Sequence, residues 1–253
     1  MLYFLCDNTF EGLLTCIFDA FYRKQFPSKI VSESAQIPLF SETFEVVTDT
    51  AKAERVLTGL KKLVSKSALE MLYICSLSED ADIETHIFNY IRKTFEEGRS
   101  MELNFADADV LTLSKMYRKV LREEERIRQF VRFQKTADGI FFAAMEPKYN
   151  VLRLCTGHFQ ERFADQQWII YDVKRRFGLH YNLKKVTEIT FDDPDNLLAS
   201  GKLLPSQMDM DEEHFQMLWK HYFKSAAIKE RTNLKLQRQF MPKRFWKYLI
   251  EKQ

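Results

Sequence analysis

Glycine and proline are scarce in this sequence, since its 253 residues contain only 7 Gly and 6 Pro. The two closest glycines, Gly139 and Gly157, are 18 positions apart. A Rossmann fingerprint, a P-loop and a nucleophile elbow each need glycines within about five positions, so all three are excluded. The H-E-x-x-H motif of zinc proteases does not occur either. So few turn residues predict long helices with short connections.

Long hydrophobic runs are also missing. The longest are Met1–Cys6 and 140–145, whereas a membrane-spanning helix needs about 20 apolar residues. Asp7 follows the first run directly, and no basic segment precedes that run. We therefore expect no membrane segment, no signal peptide and a cytoplasmic location.

Cysteine is rare, and no two cysteines form a C-x-x-C pair. We expect Cys6, Cys16, Cys75 and Cys155 to be reduced thiols in the core, because the cytosol is reducing. Cys155 and His158 have half of a zinc-site spacing, but no second pair follows.

A block of acidic residues lacks the spacing of a calcium-binding loop, and two of its members, Asp209 and Glu212, fit a helix capping box better. We expect no metal and no cofactor. The block comprises Asp192, Asp193, Asp195, Asp209, Asp211, Glu212 and Glu213.

The order of apolar segments predicts an α+β fold that is mainly helical. Its N-terminal part, residues 1–100, has the pattern strand, helix, strand, helix. The predicted elements are a strand at Leu2–Cys6, a helix capped by Asn8 that runs to Lys24, a loop over 25–43, a strand at 44–47 and a helix capped by Thr50.

The predicted second domain, residues 101–253, begins with a long helix over 107–134. Apolar residues three and four positions apart form one stripe along this helix, which includes Leu113 and Val120. Glu124 falls on the stripe. A rim position, or pairing with an arginine from elsewhere in the chain, is favoured there over a role as an active-site acid. After Gly139, short apolar segments predict a small antiparallel sheet, and basic helices follow it.

Charge is strongly polarised along the chain. Residues 219–253 contain ten basic and two acidic residues, a net charge of +8, so the other 218 residues carry −6 of the total +2. Basic residues neutralise phosphates, and the interleaved aromatic residues can stack on bases. Alternatively, Phe245, Tyr248 and Leu249 form a core face while the charges are merely solvated, and both interpretations can hold together. The predicted nucleic-acid-binding residues are Lys229, Arg231, Lys235, Arg238, Lys243, Arg244, Trp246 and Lys247, together with Arg175 and Arg176.

Four further residues are candidates for catalysis. His158 and Arg162 are one helical turn apart, and Asp172 lies in a turn beside two arginines. With Glu123 they could bind phosphate or perform acid–base chemistry in one cleft. They could equally be hydrogen-bonded supports, which is the more common role of such groups.

Several stretches of the sequence resemble a known bacterial family. They include MLYFLCDNTFEGLLTCIFDAF (1–21), FVRFQKTADGIFFAAMEPKYNVL (130–152), HFQERFADQQWIIYD (158–172) and RRFGLHY (175–181). The last stretch, residues 191–251, ends in MPKRFWKYLIE. The family is labelled probable DNA metabolism protein, and its main part is a domain of unknown function. The resemblance extends over nearly the whole chain.

This resemblance implies a role in DNA repair or modification. Family genes commonly lie beside a gene for a radical-SAM protein, which implies that protein as a partner. The present chain lacks the C-x-x-x-C-x-x-C triad, so an iron–sulfur cluster would belong to the partner.

Some relatives carry an added uracil-DNA-glycosylase-like domain, but we expect no glycosylase activity here. In relatives, a histidine often stands two residues after a glutamate that precedes the F-x-R-F stretch. In this chain the glutamate is Glu123, and Glu125 stands in place of the histidine.

Three functions follow as alternatives. The first is an accessory protein that binds DNA or RNA and cooperates with a radical-SAM partner. The second is an enzyme that acts directly on nucleic acid through Glu123, His158, Arg162 and Asp172. The third is an adaptor that binds only a protein partner. A basic surface would favour the first function, a shared cleft the second, and an exposed apolar patch the third.

Overall fold

The computed structural model describes residues 1–32, 35–191, 198–199, 202–203 and 205–253. Its contacts divide the chain into two compact units, Met1–Leu121 and Arg122–Gln253. Helices and strands are both present in each unit, so the predicted α+β class is confirmed. The predicted domains 1–100 and 101–253 stay a prediction, because compactness alone does not show which segments fold independently.

The first unit begins with a three-stranded parallel sheet. Strands β1 (Leu2–Cys6), β2 (Lys29–Ser32) and β3 (Glu42–Glu45) lie in the order β2-β1-β3. Helix α1 (Phe10–Arg23) connects β1 to β2, as crossovers between parallel strands commonly do. The predicted loop over 25–43 was wrong where β2 lies, because the surrounding proline and serine residues masked a four-residue strand.

Three further helices of this unit are α2 (Thr50–Leu60), α3 (Lys66–Ser76) and α4 (Ile83–Glu97). Two predicted helix caps were wrong by one residue. Thr9, rather than Asn8, caps α1, and Asp49, rather than Thr50, caps α2. In each case the true cap has an extended backbone, so its side chain can accept from the exposed N–H groups of the first turn.

The predicted long helix is α5 (Ala108–Phe130). Asp107 accepts from the backbone N–H groups of Asp109 and Val110 and so caps the first turn. The predicted end at 134 was wrong, because the helix ends at Phe130 and Gln134 begins a strand. Leu113 and Val120 on the predicted stripe are fully buried. The stripe therefore packs as its spacing of three and four predicts.

The second unit contains a mixed five-stranded sheet in the order β4-β5-β6-β7-β8. Its strands are β4 (Gln134–Lys135), β5 (Phe141–Met145), β6 (Trp168–Asp172), β7 (Phe177–Tyr181) and β8 (Val186–Ile189). The prediction of a wholly antiparallel sheet was wrong, since β5 and β6 are parallel. The connection between them contains a 3-10 helix (Leu152–Cys155) and α6 (Thr156–Arg162), long enough to return the chain to the same end.

The remaining elements are short. A two-residue pair, β9 (Leu198–Ala199) and β10 (Lys202–Leu203), precedes α7 (Glu212–Ala226) and α8 (Leu234–Phe240). The other elements of this part are 3-10 helices at Pro205–Gln207, Lys229–Arg231, Lys243–Tyr248 and Ile250–Lys252.

The acidic block has a structural role where it is described. The predicted capping box was wrong, because the buried Glu212 carboxylate accepts from the Lys135 backbone N–H at 2.9 Å instead. This bond docks the first turn of α7 on β4. Asp192, Asp193 and Asp195 lie outside the described residues. Within the described ranges, no group of three or more histidine, cysteine or carboxylate side chains could hold a metal ion.

The four cysteines are free and buried, which confirms the prediction of core thiols. Burial raises the pKa of the Cys75 thiol to about 12, so this side chain stays protonated near neutral pH. No helix in the described part of the chain has the length and apolar character to cross a bilayer.

Candidate nucleic-acid interface

A basic pocket of about 510 Å³ lies in the second unit beside the 3-10 helix at Lys243–Tyr248. Three segments form it: the residues after β5, the β6–β7 turn and the 3-10 helix at Lys243–Tyr248. The pocket contains five cationic side chains and one carboxylate. Its lining residues are Glu146, Pro147, Lys148, Lys174, Lys243, Arg244 and Lys247.

The 3-10 helix places core residues and cations on different faces. Side chains three positions apart eclipse one another in this helix type. Phe245 and Tyr248 therefore point inward together and are buried, and the Phe245 ring lies 5.2 Å from that of Phe130. Arg244 and Lys247, also three apart, stay exposed at the pocket. The predicted core face of Phe245, Tyr248 and Leu249 is confirmed, whereas contact of the neighbouring cations with nucleic acid stays a prediction.

Glu123 fixes one side of the pocket. Its side chain is buried on α5, and its Oε1 accepts from the Lys148 backbone N–H at 2.8 Å. Arg244 donates to Oε2, and Arg126 approaches the same oxygen at 3.5 Å. A buried carboxylate is strongly destabilising unless it is paired, so Arg244 supports the fold as well as lining the pocket.

Asp172 and Arg175 fix the opposite side. The buried Asp172 carboxylate accepts from the Arg175 guanidinium at 2.7 Å. The same guanidinium donates to the carbonyl oxygens of Pro147, at 3.1 Å, and Lys148, at 3.2 Å. Burial raises the pKa of Asp172, although the adjacent Arg175 acts in the opposite direction. Glu123 and Arg175 thus hold the Lys148 backbone from two directions.

The four predicted catalytic residues separate into two pairs. Glu123 and Asp172 both act on the Pro147–Lys148 segment, one directly and the other through Arg175. His158 and Arg162 lie on α6, where they contact the rings of Phe159 and Phe163. Among the contacts of described residues, none joins either of these two side chains to Glu123 or Asp172.

Glu124, next to Glu123, pairs with Arg128 on the following turn of α5. Its partner is thus an arginine, but one of the same helix and not one from elsewhere in the chain. Burial raises the pKa of Glu124, and the attraction of Arg128 opposes this shift.

The pocket cations differ in how strongly they are already engaged. Lys247 donates to Glu146 at 2.5 Å, and this hydrogen bond raises the pKa of Lys247 and lowers that of Glu146. Lys148 has its ammonium 5.0 Å from the centre of the Tyr149 ring. Neither Lys148 nor Lys243 forms an ion pair with any residue that the structure describes. These two lysines are therefore the cations most readily offered to an anion.

The other predicted nucleic-acid-binding residues lie in several places. Arg231, Lys235 and Arg238 are on the 3-10 turn and α8, which has no buried residue. The Trp246 indole N–H donates to the Met241 carbonyl at 3.0 Å, so this ring is engaged within its own segment. Arg176 is exposed in the β6–β7 turn. The side chain of Lys229 lies outside the described residues.

Sequence reasoning missed Lys148 and Lys174 as members of the basic pocket. Lys174 precedes the two arginines that the sequence singled out, so the basic run at 174–176 was an available signal. Lys148 stands alone between Pro147 and Tyr149. Only the fold brings Lys148 close to Lys243, Arg244 and Lys247, which lie almost a hundred positions later in the sequence.

The chain belongs to the family described as a domain of unknown function, DUF4130, which it matches over residues 81–251. This range includes every residue of the basic pocket. No similar sequence is found among curated proteins. One solved structure, a pGpG-specific phosphodiesterase named PggH from Vibrio cholerae, aligns with 90% of this chain and 100% of its own at 9% identity. The TM-score of 0.26 is too low for this likeness to carry any argument about fold or function.

Proposed function

We propose that this protein binds nucleic acid and that the basic pocket holds the phosphate backbone. The observation that carries the proposal is the convergence of Lys148, Lys174, Lys243, Arg244 and Lys247 around one cavity. Cationic side chains that neutralise phosphates supply most of the sequence-independent affinity for nucleic acid.

Charge balance supports a polyanion as the ligand. Glu146 pairs with Lys247, and Glu123 pairs with Arg244. The five cations of the pocket therefore outnumber these two carboxylates, which leaves an excess of positive charge. A single small carboxylate would leave much of this charge uncompensated, whereas consecutive phosphates of one strand would neutralise it.

Rigidity supports the same proposal. Hydrogen bonds to Glu123 and Arg175 fix the backbone that carries Lys148, and the buried Phe245 anchors the segment that carries Lys243. A preorganised site loses less conformational entropy on binding. The described lining of the pocket is five cations, one carboxylate and one proline, a set suited to phosphates, so we expect little sequence preference.

Binding measured against salt concentration tests the proposal. In fluorescence anisotropy with a labelled oligonucleotide, Lys148→Gln/Lys243→Gln should weaken binding. It should also flatten the log–log salt slope by about 1.8, since each lost duplex phosphate contact removes about 0.9. The matched control is Lys184→Gln/Lys185→Gln, which removes two exposed lysines from the β7–β8 turn. Equal losses in both variants would show non-specific attraction, and no loss in either would refute the proposal.

A second function, docking of a protein partner, is favoured by exposed apolar side chains on α7, α8 and their connection. Exposed patches of this kind mark interaction surfaces in many proteins. The finer role implied by the family resemblance is cooperation with a radical-SAM protein in DNA repair or modification. Co-purification of the two proteins, with and without Leu236→Asp/Phe240→Asp, would test this role. The exposed apolar residues are Phe215, Met217, Leu218, Trp219, Tyr222, Ile228, Leu234, Leu236 and Phe240.

A further inference from the structure

Another cavity of the second unit has four aromatic side chains among its nine lining residues. It has a volume of about 620 Å³, and its apolar wall consists of Phe133, Phe141, Phe215, Trp219 and Ile250. This volume falls within the range of roughly 300–1,000 Å³ that small-molecule sites have. We call it the aromatic cavity.

The ring of Trp219 is held by Glu251 and by Arg132, which also lines the cavity. Its indole N–H donates to the Glu251 carboxylate at 2.9 Å, and the same carboxylate accepts from Arg132 at 2.8 Å. The Arg132 guanidinium lies 5.6 Å from the centre of the indole ring. The buried Glu251 carboxylate therefore orients a cation and an aromatic ring together. Such pairs form stacking surfaces for bases.

The polar groups of the aromatic cavity are largely occupied. Glu212 accepts from the Lys135 backbone and from Gln216, both at 2.9 Å. The Lys135 ammonium pairs with Asp209 at 2.9 Å. Few donors or acceptors are left to read the edge of a ligand, so stacking supplies most of the available interaction energy.

Strand β5 connects the aromatic cavity to the basic pocket. Phe141 at its first position lines the cavity, and Glu146, immediately after its last, lines the basic pocket. Five residue steps at about 3.3 Å place them ~17 Å apart. A single strand that reaches both sites must span at least this distance, which equals about five stacked nucleotide steps of ~3.4 Å.

We infer that the aromatic cavity receives an unstacked base of a single-stranded nucleic acid whose backbone lies in the basic pocket. The inference rests on the proposed function and narrows its substrate to single strands. A base within a duplex is paired and stacked on both faces, so it cannot enter an aromatic cavity without leaving the helix. Every base has a π face, which explains why the cavity needs no readout of base edges.

Phe215→Ala tests the inference. Phe215 is 60% exposed, so its truncation removes a stacking surface with little cost to the core. With a labelled oligothymidylate of about 12 nucleotides, affinity should fall about 5- to 150-fold, the range found when one stacking side chain is removed. Phe215→Tyr should bind as the wild type does. Affinities for a duplex and for a fully abasic oligonucleotide of the same length should not change.

Phe105→Ala is the matched control, because Phe105 is 51% exposed and lies in the first unit. Unchanged oligothymidylate affinity in Phe215→Ala would overturn the inference, as would equal losses on the duplex. If Lys148→Gln/Lys243→Gln still weakened binding in that case, the proposed function would stand without the base site. Failure of both variants to weaken binding would overturn the two proposals together. Circular dichroism of each variant distinguishes lost contacts from lost fold.

Discussion

Arg244 both lines the basic pocket and pairs with a buried carboxylate, so its removal should cost stability as well as binding. In Arg244→Gln, Glu123 stays buried with its Lys148 hydrogen bond but loses its closest cation. Removing one partner of a fully buried ion pair costs about 3–5 kcal/mol. Since the Arg244 side chain is 38% exposed, solvent screens part of this effect. We expect a loss of about 2 kcal/mol in the free energy of unfolding.

Thermal unfolding followed by circular dichroism measures this loss. For a chain of this size, about 2 kcal/mol corresponds to a decrease of roughly 4–8 °C in Tm. Arg126→Gln is the control, because Arg126 touches the same carboxylate oxygen only at 3.5 Å and should matter less. The double variant Glu123→Gln/Arg244→Gln should recover much of the loss. A neutral amide can still accept from the Lys148 N–H, and it leaves no buried charge.

The double-mutant cycle decides whether the pair is responsible. A coupling of about 1–2 kcal/mol between the two substitutions is expected for residues in direct contact. Additive losses would show that Glu123 and Arg244 act independently, and the reasoning from the buried carboxylate would then be wrong. An unchanged Tm in Arg244→Gln would refute it more simply.

Three further outcomes are expected. Leu113→Asp should destabilise by about 4 kcal/mol or more, because it places an unpaired charge at a fully buried position, and an unchanged melting temperature would contradict this packing. Burial raises the pKa of Glu251, but hydrogen bonds from Arg132 and Trp219 outweigh it and hold that pKa below its ordinary value. The stability from this group is therefore complete above the ordinary pKa of about 4.3 and is lost as pH falls through the folded-state value, so Glu251→Gln should reduce the loss of Tm below pH 4.3. Metal analysis of purified protein after dialysis against a chelator should give far less than one equivalent, and a stoichiometric zinc or iron signal would show a site at Cys155, His158 or the acidic block.

Much of the local structure could be predicted from sequence because short-range patterns determine it. Strand β1 has the predicted bounds, Leu2–Cys6, since a short apolar run that ends at a polar residue is typical of a buried strand. The apolar spacing of α5 identified Leu113 as a buried residue. Helix caps were wrong by one residue, because several polar side chains stand side by side and only the backbone conformation selects one of them.

The candidate site was only partly predictable. Charge polarisation identified Lys243, Arg244 and Lys247, which lie together in the basic pocket. It also predicted nucleic-acid-binding residues on α8, but the cations of α8 lie on a different segment from those of the basic pocket. Lys148 could not be assigned, because a single lysine after a strand has no distinctive pattern.

What the sequence by itself determined is therefore the α+β class, most helices and strands, the reduced core thiols and the excess of positive charge near the end of the chain. Tertiary structure alone decided that β5 and β6 run parallel, that Glu123 pairs with Arg244, and that Lys148 joins cations from the C-terminal segment. The physical reason is the range of the forces involved. Helix and strand patterns depend on neighbours within a few positions, whereas a contact across 121 residues depends on how the whole unit closes.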